Sequence, residues 1–184
     1  GVDFMYKTSR FQGNKNFLVG FWALVNNQDG LGKDRSAFGF KVDFPNDLWD
    51  LSWTVKRIGA DFDPSMGFVP WKGIYKTNFN ITYKPRPSWP WLRYINNELF
   101  THFVTDLDGK LYQYRIFTAP FNWAFESGDR VEINIVPQME RLPESFYLTD
   151  DVYVSAGEYR WIRYRLEVQS ASKRRLKTKI SWWF

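Results

Sequence analysis

The chain has 184 residues, no cysteine, 20 % aromatic residues and a formal net charge of +5 at pH 7. This length allows one domain with a sizeable core, and the lack of cysteine excludes disulfides, thiolate metal sites and cysteine nucleophiles. No run of about 18 apolar residues is present to form a transmembrane helix, no nucleic-acid-binding module accompanies the modest positive charge, and the aromatic share favours strands and membrane interfaces.

Strand-like runs follow one another along the chain, separated by clusters of Gly, Pro, Asn and Asp. The first five are VDFMYKTSR, NFLVGFWALVNN, RSAFGFKVDF, LWDLSWTVKRI and IYKTNFNITYK. The later ones are RYINNELFTHFVTD, KLYQYRIFTAPFNWAF, RVEINIVPQME, EYRWIRYRLEVQ and RLKTKISWWF, with a short strand expected inside RLPESFYLTDDVYVSAG. No helical interval separates them. The sequence therefore predicts an all-β fold, an antiparallel up-and-down meander of about ten or eleven long strands.

Most of the runs alternate apolar and polar residues, and IYKTNFNITYK is the clearest example. Its apolar side carries every second residue: Tyr75, Thr77, Phe79, Ile81 and Tyr83. Side chains of a pleated strand point to the same face with this period of two. From Tyr75 to Tyr83 the chain advances by eight residues, which is about 26 Å of strand. At the tilt of about 40° usual for barrel strands, this length covers roughly 20 Å of membrane thickness. Long runs of this kind favour a curved open sheet that forms part of an outer-membrane β-barrel, and a soluble β-sheet protein remains the alternative.

The polar sides of the runs carry many charged residues beside small Gly and Ser. Such a face suits the polar lumen of a barrel and the outer surface of a soluble sandwich equally well. Its charged members are Lys41, Lys56, Lys76, Lys84, Arg115, Arg163, Arg165 and Glu167.

Four segments resemble a known family: SWTVKRIGADFDPSMGFVPWKGIYKTNFNITYKPRPS, TDLDGKLYQYRI, SGDRVEINIVPQMERLPESF and VSAGEYRWIRYRLEVQSASKRRL. They are similar to the C-terminal domain of unknown function in large Gram-negative envelope proteins, where it follows a module similar to family-9 carbohydrate-binding domains. The resemblance covers residues 35–180 and implies an outer-membrane location, membrane lipid as partner, and polysaccharide bound through an N-terminal module outside this chain. We therefore expect residues 1–184 to be a single barrel segment of a longer protein, whose first and last strands do not pair with each other.

The DFDPSMGF segment contains the most distinctive loop residues. Asp61, Asp63, Pro64, Gly67 and Phe68 are predicted to form a loop that folds inward as a plug or caps the barrel mouth. A structural turn stabilised by Asp63 before Pro64 explains the same residues and is favoured over an ion site.

Exposed tryptophans are candidates for contact with either sugar rings or the membrane interface. The candidates are Trp89, Trp91, Trp182 and Trp183. Interfacial anchoring explains them without any ligand and is favoured over sugar stacking.

No residue pattern indicates catalysis, a cofactor or a metal. His102 is the only histidine and has no nucleophile motif nearby, so it is expected to be an ordinary strand residue. Asp106 and Asp108 in DLDG lack the spacing of a calcium loop and predict a hairpin turn. Scattered glutamates could supply a glycosidase pair, but spacing in sequence gives no distance between them. They are Glu126, Glu132, Glu140 and Glu158.

The patterns together predict an outer-membrane β-barrel segment with a polar lumen face. Its expected role is transport across the envelope or anchoring of a carbohydrate-binding module, and no enzyme activity is predicted. A soluble β-sheet protein that binds carbohydrate is the alternative.

Overall fold

The computed structural model describes residues 1–27, 30, 32–64 and 67–184, and in these ranges the chain forms thirteen β-strands and no helix. The strands are β1 (Val2–Phe11), β2 (Lys15–Val25), β3 (Ser36–Pro45), β4 (Trp49–Ile58), β5 (Ile74–Tyr83), β6 (Leu92–Ile95), β7 (Asn97–Asp106), β8 (Leu111–Phe125), β9 (Arg130–Leu142), β10 (Phe146–Thr149), β11 (Val152–Val154), β12 (Gly157–Gln169) and β13 (Lys179–Trp183). Across the described ranges there is no helix that is long and apolar enough to cross a membrane.

Ten strands form one continuous antiparallel path in the order β1-β2-β3-β4-β5-β7-β8-β9-β12-β13. The short strand β6 also joins this sheet by pairing with β8, while β10 and β11 form a separate two-stranded sheet. The predicted antiparallel meander is therefore confirmed. Strands β1 and β13 lie at opposite ends of the path and are not paired with each other, so the sheet is open and curved, as predicted.

The connections lie at two rims. The first rim contains residues 12–14, 46–48, 84–91, 126–129 and 170–178, and the second rim contains the described parts of 26–35 and 59–73 together with 107–110 and 143–156. The predicted DLDG hairpin turn is confirmed at the second rim, where Asp106 Oδ1 accepts hydrogen bonds from the Asp108 and Lys110 backbone N–H groups at 3.0 and 2.7 Å.

Two predicted runs have different limits in the structure. The run over residues 93–106 is divided at Asn96 into β6 and β7, because β6 turns away to pair with the end of β8. That end is displaced by a register shift between Thr118 and Phe121, around Pro120, which has no N–H to donate. The second difference is in the final run, where the strand begins only at Lys179. The preceding residues 170–178 form a loop that is hydrogen-bonded to Asp129 at the first rim.

The strand register brings the alternation of all strands into phase. Side chains opposite one another across the path share a face, so one face is apolar and the other polar. One row of the apolar face consists of Phe4, Phe21, Phe40, Val55, Thr77, Phe103, Tyr114 and Met139. A row of the polar face consists of Gly20, Lys41, Thr54, Asn78, His102, Arg115, Gln138 and Trp161.

The apolar face is exposed from one edge of the sheet to the other. Among the described residues no second sheet covers it, and many of its large side chains, on or next to β1–β5, β9, β12 and β13, are between 37 and 63 % exposed. They include Val2, Phe4, Tyr6, Phe21, Phe38, Trp49, Trp53, Phe79, Ile133, Ile162, Tyr164, Leu166, Val168, Ile180, Trp182 and Phe184.

The polar face is the more buried of the two. Glu132 and Glu167 on this face are only 4 and 5 % exposed, and Val104 and Val136 on the same face are buried. We attribute this to curvature, because side chains on the concave side of a sheet converge while those on the convex side spread apart. The charged face is therefore the inner face of the curved sheet.

Candidate functional site

A groove of about 770 Å³ opens on the polar face over strands β7, β8, β9 and β12. We call it the polar groove. Its lining combines three carboxylates, three guanidinium groups, the single histidine and two phenylalanines. The lining residues are Glu98, Phe100, Thr101, His102, Gln113, Arg115, Phe117, Arg130, Glu132, Arg165 and Glu167.

The most buried residues of the polar groove belong to an ion-pair network centred on Arg165. The β9–β12 register places Glu132 directly opposite Glu167, an arrangement that is repulsive by itself. Arg165 bridges the two carboxylates, with Nη2 2.5 Å from Glu132 Oε1 and Nη1 3.3 Å from Glu167 Oε2. Arg130 binds the second oxygen of Glu132 at 3.0 Å, and Lys179 binds Glu167 at 3.0 Å. Both buried carboxylates are therefore neutralised by cations.

Two buried asparagines complete this network. Asn134 accepts a hydrogen bond from Arg165 Nε at 2.6 Å and donates one to Glu132 at 2.8 Å. Asn122 accepts one from Arg130 Nε at 2.7 Å. Both side chains are completely buried, and hydrogen bonds in such a low-dielectric environment are strong and hold the arginines in place. Within the described part of the chain, only Asn122 Nδ2 and Gln138 Nε2 are buried without a hydrogen-bond partner.

Aromatic rings flank the charged groups of the polar face. Phe100 and Phe117 stack with their ring centroids 5.7 Å apart and their planes 11° from parallel. On the edge strand β13, the Trp183 ring lies beneath the Arg163 guanidinium at 4.5 Å and the Arg165 guanidinium at 5.3 Å. Cation–π contacts of this kind stabilise Arg163, which has no ion pair in the described residues, and add to the ion pairs of Arg165.

The predicted loop residues lie at the second rim and none of them lines the polar groove. Asp61 Oδ2 accepts a hydrogen bond from the Asp34 N–H at 3.1 Å, and Asp63 forms an ion pair with Lys72 at 2.7 Å. Phe68, beyond Pro64 and Gly67, is 87 % exposed. Asp61 therefore connects this loop to the neighbouring loop, while the Asp63 ion pair lies within the loop itself. Ser65 and Met66 of the same motif lie outside the described residues.

Asp34 is the centre of the contacts between these two loops. Its carboxylate accepts hydrogen bonds from the Ala60 N–H at 3.0 Å and from Arg57 at 2.8 Å. The Ala60 hydrogen bond, together with Arg57, lowers the pKa of Asp34 below its ordinary value. The carboxylate is therefore held ionised as a structural acceptor.

The four candidate tryptophans occupy different positions. Trp89 and Trp91 stack at 5.4 Å at the first rim and continue onto Trp123 of the apolar face, 5.6 Å from Trp91. Trp182 lies opposite Leu166 on the apolar face, at the edge strand β13. Trp183 points to the polar face, so the adjacent pair Trp182 and Trp183 is divided between the two faces.

The predicted catalytic alternatives are not assembled into one site. His102 Nδ1 is hydrogen-bonded to Asn78 Oδ1 at 2.7 Å. Glu126 pairs with Arg93 at the first rim and Glu158 pairs with Arg141 near the second rim, whereas Glu132 lies in the polar groove. In the described ranges, no group of three or more His, Asp or Glu side chains is placed to hold a metal ion.

A second charged cluster ties the β12–β13 loop to the β8–β9 turn at the first rim. Asp129 accepts hydrogen bonds from Arg174 at 2.5 and 3.0 Å, from Ser127 at 2.7 Å and from the Ala171 N–H at 2.8 Å. These donors, Arg174 foremost, hold the pKa of Asp129 well below its ordinary value. Gly128 in the same turn has φ +90°, and a Cβ there would lie 2.9 Å from Ala171 Cβ, so the close approach of the loop requires glycine.

The polar groove itself was missed by sequence reasoning. Alternation had placed Arg115, Arg165 and Glu167 on the polar side, but only the register brings them together with Glu98 and Phe117. No protein-family model, curated protein or solved structure matches this chain. The family resemblance noted in the sequence therefore stays a prediction.

Proposed function

We propose that this chain is a segment of an outer-membrane β-barrel whose apolar face contacts lipid and whose polar face lines a lumen used for transport. One observation carries the proposal: one face of the sheet exposes many large apolar side chains, while the other face holds the buried charged residues. Phe79 and Trp53 are 42 and 44 % exposed, whereas Glu132 is 4 % exposed. Soluble monomers rarely leave a contiguous apolar patch larger than a few hundred Å² in water, and this face extends across the whole sheet.

Aromatic side chains at the first rim support contact with a membrane interface. Several ring pairs lie at this end of the apolar face, where an aromatic girdle would meet the lipid headgroups. They are Phe11 with Phe17 at 4.7 Å, Trp49 with Tyr83 at 4.3 Å, and Trp91 with Trp123 at 5.6 Å. Trp89 and Trp91 are thus explained as interface anchors.

The polar groove supports the lumen side of the proposal. Arginine–glutamate networks and buried amides give a wall that is polar yet rigid, as a solute path needs. The resemblance found in the sequence adds the expectation that a carbohydrate-binding module is attached to the same protein, which would place the barrel in polysaccharide transport or anchoring.

Lipid flotation tests the proposal. The chain is diluted from urea into phosphatidylcholine vesicles and centrifuged through a sucrose gradient, and the matched control is dilution into buffer without lipid. We expect the protein to rise with the vesicles and to resist added protease, and to aggregate without lipid or detergent. A monodisperse, folded protein in detergent-free buffer that stays at the bottom of the gradient would refute the proposal.

A soluble carbohydrate-binding role is the second candidate, favoured by the stacked pair Trp89 and Trp91, which are 46 and 49 % exposed. Sugar rings stack on such exposed aromatic faces. This role predicts saturable binding of polysaccharide that is lost in Trp89→Ala or Trp91→Ala and kept in Trp182→Ala. Binding isotherms that do not change in either of the first two variants would exclude it.

A further inference from the structure

Four basic side chains lie in two adjacent rows of the polar face, one on each of strands β4, β5, β7 and β8, and together they are called the basic row. The basic row consists of Lys56, Lys76, His102 and Arg115. The register places Lys56 directly opposite Lys76, and His102 directly opposite Arg115. Lys76 and Arg115 are also both close enough to interact electrostatically with His102. Like charges placed opposite each other destabilise a sheet, so the Lys56–Lys76 pair opposes the fold instead of supporting it.

No carboxylate compensates the basic row within the described residues. Lys56, Lys76 and Arg115 form no ion pair there, whereas the other groove arginines, Arg130 and Arg165, are both paired with glutamate. Glu140, which the register places one row from Arg115, forms no ion pair either. Lys56 and Arg115 are exposed, and the charge of the row therefore faces the open side of the sheet.

The surroundings of the row contain a further unused donor. Gln138 lies directly opposite Arg115 on the neighbouring strand, and its Nε2 is buried without a hydrogen-bond partner. His102 and Arg115 line the polar groove, so an anion that enters it meets the imidazole and guanidinium donors, with Lys76 on the adjacent strand β5. Local arrangements that work against stability are expected at functional sites, and rings of Arg and Lys are the means by which pores select anions.

We propose that the basic row binds a multiply charged phosphate-bearing solute as it passes along the polar face. Strands lie about 4.8 Å apart, so four strands spread the row over about 14 Å, which suits a linear solute with several charges better than a single small anion. This inference rests on the proposed function, because it takes the polar face to line a solute path.

Calorimetric titration of the detergent-folded full chain with sodium tripolyphosphate tests the inference. We expect saturable binding that is weakened at least about tenfold in Lys76→Gln and in Arg115→Gln, since each removes a charge-assisted contact. Lys177→Gln, in the loop 170–178 and away from the row, is the matched control and should bind as the unchanged chain does. Spermine, a cation of similar length, should not bind to the row.

The two proposals fail in different ways. Tripolyphosphate binding that depends on Lys76 and Arg115 in a protein that does not float with vesicles would support the basic row and refute the membrane segment. Flotation with lipid, combined with affinities that are equal in the unchanged chain and both variants, would refute the basic row alone. Loss of one cation relieves repulsion, so the variants are expected to fold, and Lys56→Gln provides an independent removal of charge from the same row.

Discussion

The substitution Phe79→Arg tests whether the apolar face contacts lipid or water, because its cost in stability differs between the two environments. Phe79 lies at the centre of β5, four residues from Tyr75 and four from Tyr83, which is about 13 Å of strand in each direction. An arginine at this height of a membrane-spanning strand costs about 2–4 kcal/mol, because the charge must leave water. In water the same change is nearly neutral, within about 0.5 kcal/mol, because the ring is already 42 % exposed.

Asn80→Arg is the matched control on the polar face of the same strand. Asn80 Nδ2 donates a hydrogen bond to Ser52 Oγ at 3.0 Å, and its loss costs about 1 kcal/mol while the new charge stays in a polar environment. We therefore expect Phe79→Arg to be the more destabilising change by about 1–3 kcal/mol in lipid. The assay is urea-dependent folding into phosphatidylcholine vesicles, followed by tryptophan fluorescence.

Equal losses of stability in the two variants would contradict this reasoning, because they would mean that β5 is buried on both faces. A Phe79→Arg protein as stable in vesicles as the unchanged chain would mean that the apolar face does not contact the hydrocarbon. Either result would leave the exposed apolar face to be explained by a protein partner instead of lipid.

Three further predictions concern turns and charges. Gly128→Ala should cost about 1–3 kcal/mol more than Gly109→Ala in urea unfolding, because both glycines have positive φ (+90° and +87°) but only the first would place a Cβ against the β12–β13 loop. Equal costs would mean that the loop moves away freely. Because the pKa of Asp129 is lowered in the folded protein, its contribution to stability is present above about pH 4 and is lost as the pH falls through the folded-state pKa. Arg174→Gln should raise that pKa in an NMR titration of the Asp129 carboxyl carbon, and an unchanged titration would refute the assignment. Lys76→Gln should raise the free energy of unfolding by about 0.2–1 kcal/mol, because it removes the repulsion from Lys56 directly opposite. A lower free energy of unfolding, measured by chemical denaturation, would contradict the conclusion that this lysine pair destabilises the fold.

Local pattern was enough to predict the strands and their faces. Alternation with a period of two depends only on neighbouring residues. The β5 strand, and the placement of Tyr114 and Arg115 on different faces of β8, could therefore be predicted directly from the sequence. Turn residues such as Gly109 and the absence of helical intervals then predicted the antiparallel order. The limits of β6 and β13 were wrong because they depend on a register shift near Pro120 and on a loop tied to Asp129, both of which are long-range features.

Tertiary structure alone decided which side chains meet across strands. Glu132 and Glu167 are 35 positions apart, yet the β9–β12 register places them opposite each other with Arg165 between them. The β4–β5 register likewise places Lys56 opposite Lys76, with no carboxylate paired to either among the described residues. A shift of one residue in any pairing would turn every following side chain to the other face. The periodic pattern of the sequence favours alignments that keep apolar side chains on one face, but it does not determine which of these alignments is adopted. The sequence by itself therefore determined an amphipathic antiparallel sheet, while the polar groove and the basic row follow from strand alignment, which is set by contacts between distant parts of the chain.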